Sequence, residues 1–453
     1  MSEIQALADS ISSFLWGWPM MILLLGTHVF LTFRLRIPQL KIFKAIKLSV
    51  VKDPDSGGDV SQFAAVSTSL AATIGTGNIV GVATAVALGG PGAIFWCWLT
   101  GVFGIATKYA EGLLAVKYRE KTSDGTMLGG PMYALEKGLH MKWLAVFFCI
   151  FTVFASLGIG STVQSNSVST TLLEAYNIPV WISGTIFSFC LFLVVVFGVK
   201  GIARVCSMIV PFMAVFYVLG CIYILFVNSA YVWPAIKLIV VSAFDPSAAG
   251  GGFVGGSVMM AARYGMARGL FSNESGLGSA PIVAAAAKTR NAVRQALVSS
   301  TGTFWDTVII CALTGIVLIS CVLSGNLSYE NGATLTKHAF ALIPVVGTPI
   351  LVVGMVFFAF TTSLGWSYYS ERAYEYLFGK KYLIGFRAFY CLTCFVGAVV
   401  NLALVWSFAD SANALMAIPN LISLLFLSGV VVKDTQKYLW DKRLDEQDSE
   451  IHH

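Results

Sequence analysis

Residues 71–81 read AATIGTGNIVG. They sit mid-way along an apolar run long enough for a membrane helix, yet Gly75, Gly77 and Gly81 crowd it and Thr73, Thr76 and Asn78 share it. A glycine costs roughly 1 kcal/mol against alanine in a helix interior. Backbone amides and carbonyls cannot face lipid unpaired, so an unwound turn survives only where it is buried in protein or lines a cavity. The stretch therefore predicts a broken membrane helix. A second candidate, GLFSNESGLGSAP at 269–281, carries Gly269, Gly276, Gly278 and Pro281. Four unbroken apolar runs lie between the two. Taken alone, either is as well read as a packing motif, and Gly77-xxx-Gly81 has that spacing. Paired in corresponding places of two halves, each rich in hydroxyl and amide side chains, they point to a transporter's binding site.

The rest of the chain agrees with a membrane setting. Of 453 residues, 57% are hydrophobic and 11% charged, with mean hydropathy +0.78; a soluble domain carries about 25% charged residues. Runs such as FCLFLVVVFGV do not alternate, which excludes a β-barrel. Eleven candidate spans follow, at 12–33, 63–88, 92–117, 143–172, 179–199, 207–228, 257–287, 296–323, 344–369, 382–407 and 411–432. With the N-terminus outside, 24 of the 29 Lys and Arg fall in inner loops or the C-terminal tail, and only Lys237 and Lys337 in outer ones. That asymmetry predicts an odd number of crossings in a cell membrane and a cytoplasmic C-terminus. Residues 34–52 read as a basic amphipathic segment on the inner lipid surface. No nucleic-acid partner is expected. The nine cysteines lie mostly inside apolar segments, and the five histidines form no cluster inside the spans. No nucleophile–base pair or zinc motif stands out, so the chain is not read as an enzyme.

GGPGAIFWCWLTGVFG (89–104) and ARGLFSNESGLGSAP with the following AAAAKT (267–289) resemble the alanine or glycine:cation symporter family, with Cys97 where a more apolar residue is expected. The resemblance covers essentially the whole chain. It implies sodium-coupled uptake of alanine and glycine. It also implies an all-α LeuT-like fold: one extra helix with a basic loop (1–62), a five-helix repeat (63–228), an outer connector (229–256), an inverted five-helix repeat (257–432) and a tail (433–453).

An amino-acid substrate is a zwitterion, and the two breaks suit its two ends. Gly75, Thr76 and Gly77 are expected to present amides to the carboxylate, at the positive end of a half-helix. Carbonyls near Phe271, Ser272 and Asn273 in the second break, which includes Gly276, are expected to accept from the ammonium. Gln164, on one face of the fourth span, either donates to the carboxylate or bonds a neighbouring helix. Trp366 either walls the pocket or packs, and Phe271 is a candidate lid. Alignment with the LeuT-like fold implies a sodium site made by the carbonyls of Ala71, Ile74 and Ala359 with the hydroxyls of Thr362 and Ser363. Asn78, with Thr73 and Ser272, matches a second sodium position; Asn78 is equally read as a substrate contact or a brace for the break.

Ionisable residues inside spans are functional by default. Glu274 is expected to pin the second break, Lys108, Glu111 and Asp306 to form bracing or gate pairs, and Arg268 to pair with Asp410. Proton coupling is the rival reading. It calls for an ionisable residue in place of a sodium ligand in the second or ninth span, and neither span has one near the breaks. A channel is the rival from another class.

Overall fold

The computed structural model describes residues 2–51, 53, 57–245, 257–400 and 403–448. The chain is helical apart from a two-stranded hairpin pairing Glu120–Lys121 with Met127–Leu128. Among the described residues six helices are long and apolar enough to cross a membrane. A bent pair, Gln62–Thr73 and Gly77–Gly89, makes a seventh, with 48° between its parts. Val180–Val195 and Leu383–Val399 are shorter apolar helices.

Several expected boundaries move. Helix Ser2–Leu15 precedes helix Trp18–Arg34, so the first membrane-length helix begins well before residue 12, in a stretch too polar for hydropathy to register. The sixth starts at Gly198 because GVKGIARVC, which looks like a loop, stays helical. The ninth runs on to Phe378 through an aromatic and charged stretch. The tenth ends at Val399 and the eleventh begins by Ala403, because the apolar VVNLALVW carries no turn signal. The expected connector 229–256 contains helix Ser229–Ser242; residues 246–256 lie outside the described residues.

The largest correction concerns the seventh span. The sequence suggests one broken helix over 257–287, but helix Val258–Asn273 stops as Glu274 turns left-handed, φ 54°. Irregular backbone follows, through Gly276 (φ 90°) and Gly278 (φ 87°), and then a single helical turn, Pro281–Ala284. Helix Gly92–Lys117 packs along helix 258–273, and helix Ala292–Thr303 packs along helix 62–73. The first contact is very close: a Cβ at Gly265 would stand 2.2 Å from Ala93 O, and one at Gly269 2.2 Å from Thr100 Oγ1. Small residues let backbones approach where no hydrophobic force drives helices together. Helices Lys142–Tyr176 and Gly347–Phe378 also pack on each other.

The basic loops share one end of the bundle, as charge counting predicts. Lys117 pairs with Asp434 at 3.3 Å, Arg290 with Asp53 at 2.6 Å, and Lys380 with Asp124. Helix Ile42–Val50 lies on the bundle with Ala45 buried, and Phe43, Lys44, Lys47 and Val50 exposed.

The irregular stretch after Asn273 is held by one carboxylate. Glu111 Oε1 accepts from Gly276 N (3.0 Å), Gly278 N (3.1 Å) and Asn420 Nδ2 (2.7 Å). Gly278 has no room for a side chain, since a Cβ would lie 2.8 Å from both Phe148 and Pro131. Left-handed strain plus this crowding predicts that Gly278→Ala destabilises the fold by about 2 kcal/mol, read as a lower thermal midpoint of the detergent-purified protein. An unchanged midpoint would contradict the geometry.

Candidate functional site

The first break falls where the glycines predict. Helix 62–73 ends at Thr73, and Ile74 leaves it with ψ 101°. In a continued helix Gly75 N would bond Ala71 O. Instead it donates to Asn78 Oδ1 at 2.9 Å, and Ala71 O accepts from Thr362 Oγ1 at 3.0 Å. The chain resumes as a wide π-type turn, Gly77–Gly81, followed by helix Val82–Gly89. At the start of this second half-helix the amides of Thr76 and Gly77 have no carbonyl one turn behind them. Gly75 is different, because its amide is spent on Asn78.

Asn78 then reaches outward. Its Nδ2 donates to Asp306 Oδ1 (2.8 Å) and Asp306 O (3.2 Å), and lies 3.2 Å from Cys311 Sγ. The other oxygen of the same carboxylate, Asp306 Oδ2, accepts from Ser272 Oγ (2.9 Å) and Thr307 Oγ1 (2.6 Å). Asp306 thus joins the first break to the second, and Asn78, Ser272 and Asp306 are all buried. The backbones meet as well: a Cβ at Gly77 would be 3.4 Å from Phe271 Cδ1 and 3.5 Å from Ser272 Cα. Asp306 lies in a second π-type segment, Phe304–Cys311, within the continuous helix 292–323.

Two further helices close on the first break. Along helix 347–378, Thr362 touches Ala71 and Gly75, and Gly365 lies against Ala72. Ala359 and Ser363 are buried on that helix within a turn of Thr362. Trp366 packs on Gly160, where a Cβ would lie 2.2 Å from Trp366 Cβ. Gly160 belongs to a third π-type segment, Ser156–Thr162, and Gln164 follows one turn on. Gln164 Nε2 donates to Ile159 O (3.0 Å) and stands 3.4 Å from Thr76 Oγ1.

Three buried polar atoms in this group make no hydrogen bond: Gln164 Oε1, Trp366 Nε1 and Ser363 Oγ; the Cys394 thiol stands near Ser363. Each such atom costs about 1–3 kcal/mol unless a ligand or water meets it. Together they offer donors and acceptors of both kinds around the breaks. Gln164 has its amide engaged by Ile159 O and its carbonyl oxygen without a hydrogen bond.

Not every expected residue joins the group. Thr73 Oγ1 turns back on its own helix, 3.2 Å from Ser69 O. Asn273 O accepts from Lys108 Nζ at 2.9 Å, and Gly276 is engaged by Glu111 and Asn420 beside His28. Arg268 stands over the Phe271 ring, 5.9 Å from its centroid, rather than in an ion pair with Asp410. Lys108 and Glu111 brace backbone rather than each other, and Glu274 accepts from Ser279 Oγ at 2.5 Å. Sequence reading names Asp306 as a bracing residue and misses what it braces. Its place on a helix is legible, but its partner Asn78 is 228 positions away.

Among the described residues no three of His, Cys, Asp and Glu gather as a metal cluster. The oxygens at Thr362, Ser363 and Ala71 are neutral, a donor set for a hard monovalent cation rather than a transition metal.

Comparison with known proteins bears on this arrangement. The chain is 50% identical over 453 residues to an uncharacterized transporter of Haemophilus influenzae, covering 99% of each. It is 49% identical over 445 residues to the sodium/alanine symporter AgcS of Methanococcus maripaludis, covering 96% of this chain and 97% of that one. The amino-acid carrier protein AlsT of Bacillus subtilis is 32% identical over 440 residues, with 96% and 92% covered. Residues 1–452 match the sequence model of the sodium:alanine symporter family, and the chain belongs to that family.

Proposed function

We propose that the protein imports alanine, and glycine, together with sodium by alternating access. The observation that carries this reading is the meeting of two interrupted helices with unpaired buried polar atoms around them. The fold is then an eleven-span LeuT-like bundle, with inverted five-helix repeats at 63–228 and 257–432 after an extra helix. The reciprocal packing of each second helix on the other half's broken helix supports it. The basic end faces the cytoplasm, with the C-terminus there and the N-terminus outside.

The substrate carboxylate takes the amides of Thr76 and Gly77, where the half-helix dipole is positive, and the Trp366 indole N–H. The ammonium takes Gln164 Oε1 and backbone carbonyl near Phe271 and Ser272. Trp366 and Phe271 leave room for a small side chain only. Sodium sits where helix 62–73 ends, at the negative end of its dipole, among the carbonyls of Ala71, Ile74 and Ala359 and the hydroxyls of Thr362 and Ser363. Asn78 and Ser272, held by Asp306, keep the two breaks in register; Gly75 gives Thr362 room, since a Cβ there would be 2.5 Å from Thr362 Oγ1. One sodium entering across 100 mV releases about 2.3 kcal/mol, and a tenfold gradient adds about 1.4 kcal/mol. Together they support an accumulation of a few hundredfold, or about 3.7 kcal/mol, for a neutral amino acid at ideal coupling.

Alanine uptake into liposomes of purified protein tests the reading, with sodium, potassium or a pH gradient as the sole driving force. Sodium-driven, saturable uptake that glycine competes away is expected; uptake driven by a pH gradient without sodium would transfer the coupling to protons. Thr362→Ala is expected to raise the sodium concentration for half-maximal uptake by about tenfold, the worth of one lost ligand oxygen. Sodium titrations at saturating alanine measure this, and an unchanged titration would remove Thr362 from the ion site. Asp306→Asn exchanges a carboxylate for a neutral amide facing three side-chain donors, and uptake is expected to fall by about tenfold or more. Full uptake in that variant would show that the junction needs no charge.

A further inference from the structure

The inner ends of the two interrupted helices are bonded to each other. Residues 57–60 lead straight into helix 62–73, and residues 285–288 follow straight from the turn Pro281–Ala284. Val60 and Ala287 pair as a parallel bridge. Asp59 N and Val60 N both donate to Ala286 O, at 2.8 and 3.2 Å, and Lys288 N donates to Val60 O at 2.8 Å. Buried Arg119 spans the pair: its guanidinium donates to Gly57 O (3.1 Å), Ala285 O (3.2 Å) and Ala287 O (2.9 Å). Gly58 brings the strands this close, since a Cβ there would stand 2.5 Å from Lys288 N.

Behind the pairing sits the C-terminal tail. Asn291 Nδ2 donates to Leu444 O and Glu446 O, both at 2.9 Å. Asp448 N donates to Arg290 O at 2.9 Å, and Arg294 Nη1 meets Asp445 at 2.8 Å. Asn291 also caps the next helix, its Oδ1 accepting from Arg294 N at 2.9 Å.

We propose that residues 57–60, 285–288 and 444–448 form a latch on the tail side of the membrane, which parts in each transport cycle and whose strength the tail sets. The inference rests on the transport reading above. Helix 62–73 begins at this pairing, and the irregular stretch that follows helix 258–273 runs into it, so a path from the site to that face between the two segments opens only when it separates. The tail docks through its backbone and holds residues 290–291, the continuation of one strand, in place.

A full-length Val60→Cys/Ala287→Cys protein, with exposed Cys190 replaced by serine, tests the moving part; the other cysteines are buried. Bridge partners lie at a separation a disulfide spans. Oxidation in liposomes is expected to abolish sodium-driven alanine uptake and reduction to restore it, while sodium-dependent alanine binding persists in both forms. Equal uptake by the cross-linked and reduced proteins would overturn the latch and leave the transport reading intact. If the protein with natural Val60 and Ala287 bound no alanine in sodium, the transport reading would fall and the latch with it. For the tail, Asn291→Asp keeps the helix cap but loses the donor. Alkylation of a single Ala287→Cys by an impermeant maleimide from the tail side is then expected to speed up by about tenfold, the effect of two ordinary hydrogen bonds. An unchanged rate would remove the tail from the mechanism.

Discussion

Backbone that leaves a helix inside an apolar bundle has to find partners, and here two carboxylates provide them. Glu111 takes two amides of the stretch after Asn273 directly. Asp306 works at one remove: it holds Asn78, and Asn78 holds Gly75 N. Without these acceptors the breaks would leave buried donors unpaired, at about 1–3 kcal/mol each. The positions of the interrupted helices, and of every group they carry, follow from these two side chains.

Neither carboxylate bonds a cationic side chain. Asp306 is met by an amide and two hydroxyls, Glu111 by two backbone amides and a side-chain amide. Such networks favour one arrangement of helices over its neighbours; here Glu111 Oε1 takes all three donors, and Oε2 is buried without a hydrogen bond. Lys108 does the converse on the other side of the same turn, giving its proton-bearing end to the last carbonyl of helix 258–273. Helix and counter-charge are matched at the break itself, which makes the junction a rigid frame against which the Thr362–Trp366 face of the ninth helix is set.

Much of this was legible in the residues. Glycines at 75, 77 and 81 mark the first break to within a residue, because helix propensity is local and its loss shows in composition. The 3.0 Å bond from Thr362 Oγ1 to Ala71 O joins two of the residues proposed as sodium ligands. Three kinds of information were out of reach. Helix ends such as Gly198 and Phe378 are set by packing, which lets charged or glycine-rich turns stay helical. The fate of the chain after Asn273 depends on Glu111 and Asn420, far away in sequence. What a side chain has left to offer also depends on its neighbours: Gln164 looks like a donor until Ile159 O takes its amide.

The widened turns at 156–162 and 304–311 carry a consequence for how the helices are wound here. A π-type turn holds one residue more than an α-turn. Rewinding either segment as a regular α-helix of the same length would rotate everything beyond it by about 100°. Gln164 would swing away from Thr76, and the residues after Cys311 would change the face they show to their neighbours. These segments set the angular phase of the helices that flank the breaks, so a change that tightened either turn would act as a change of aim.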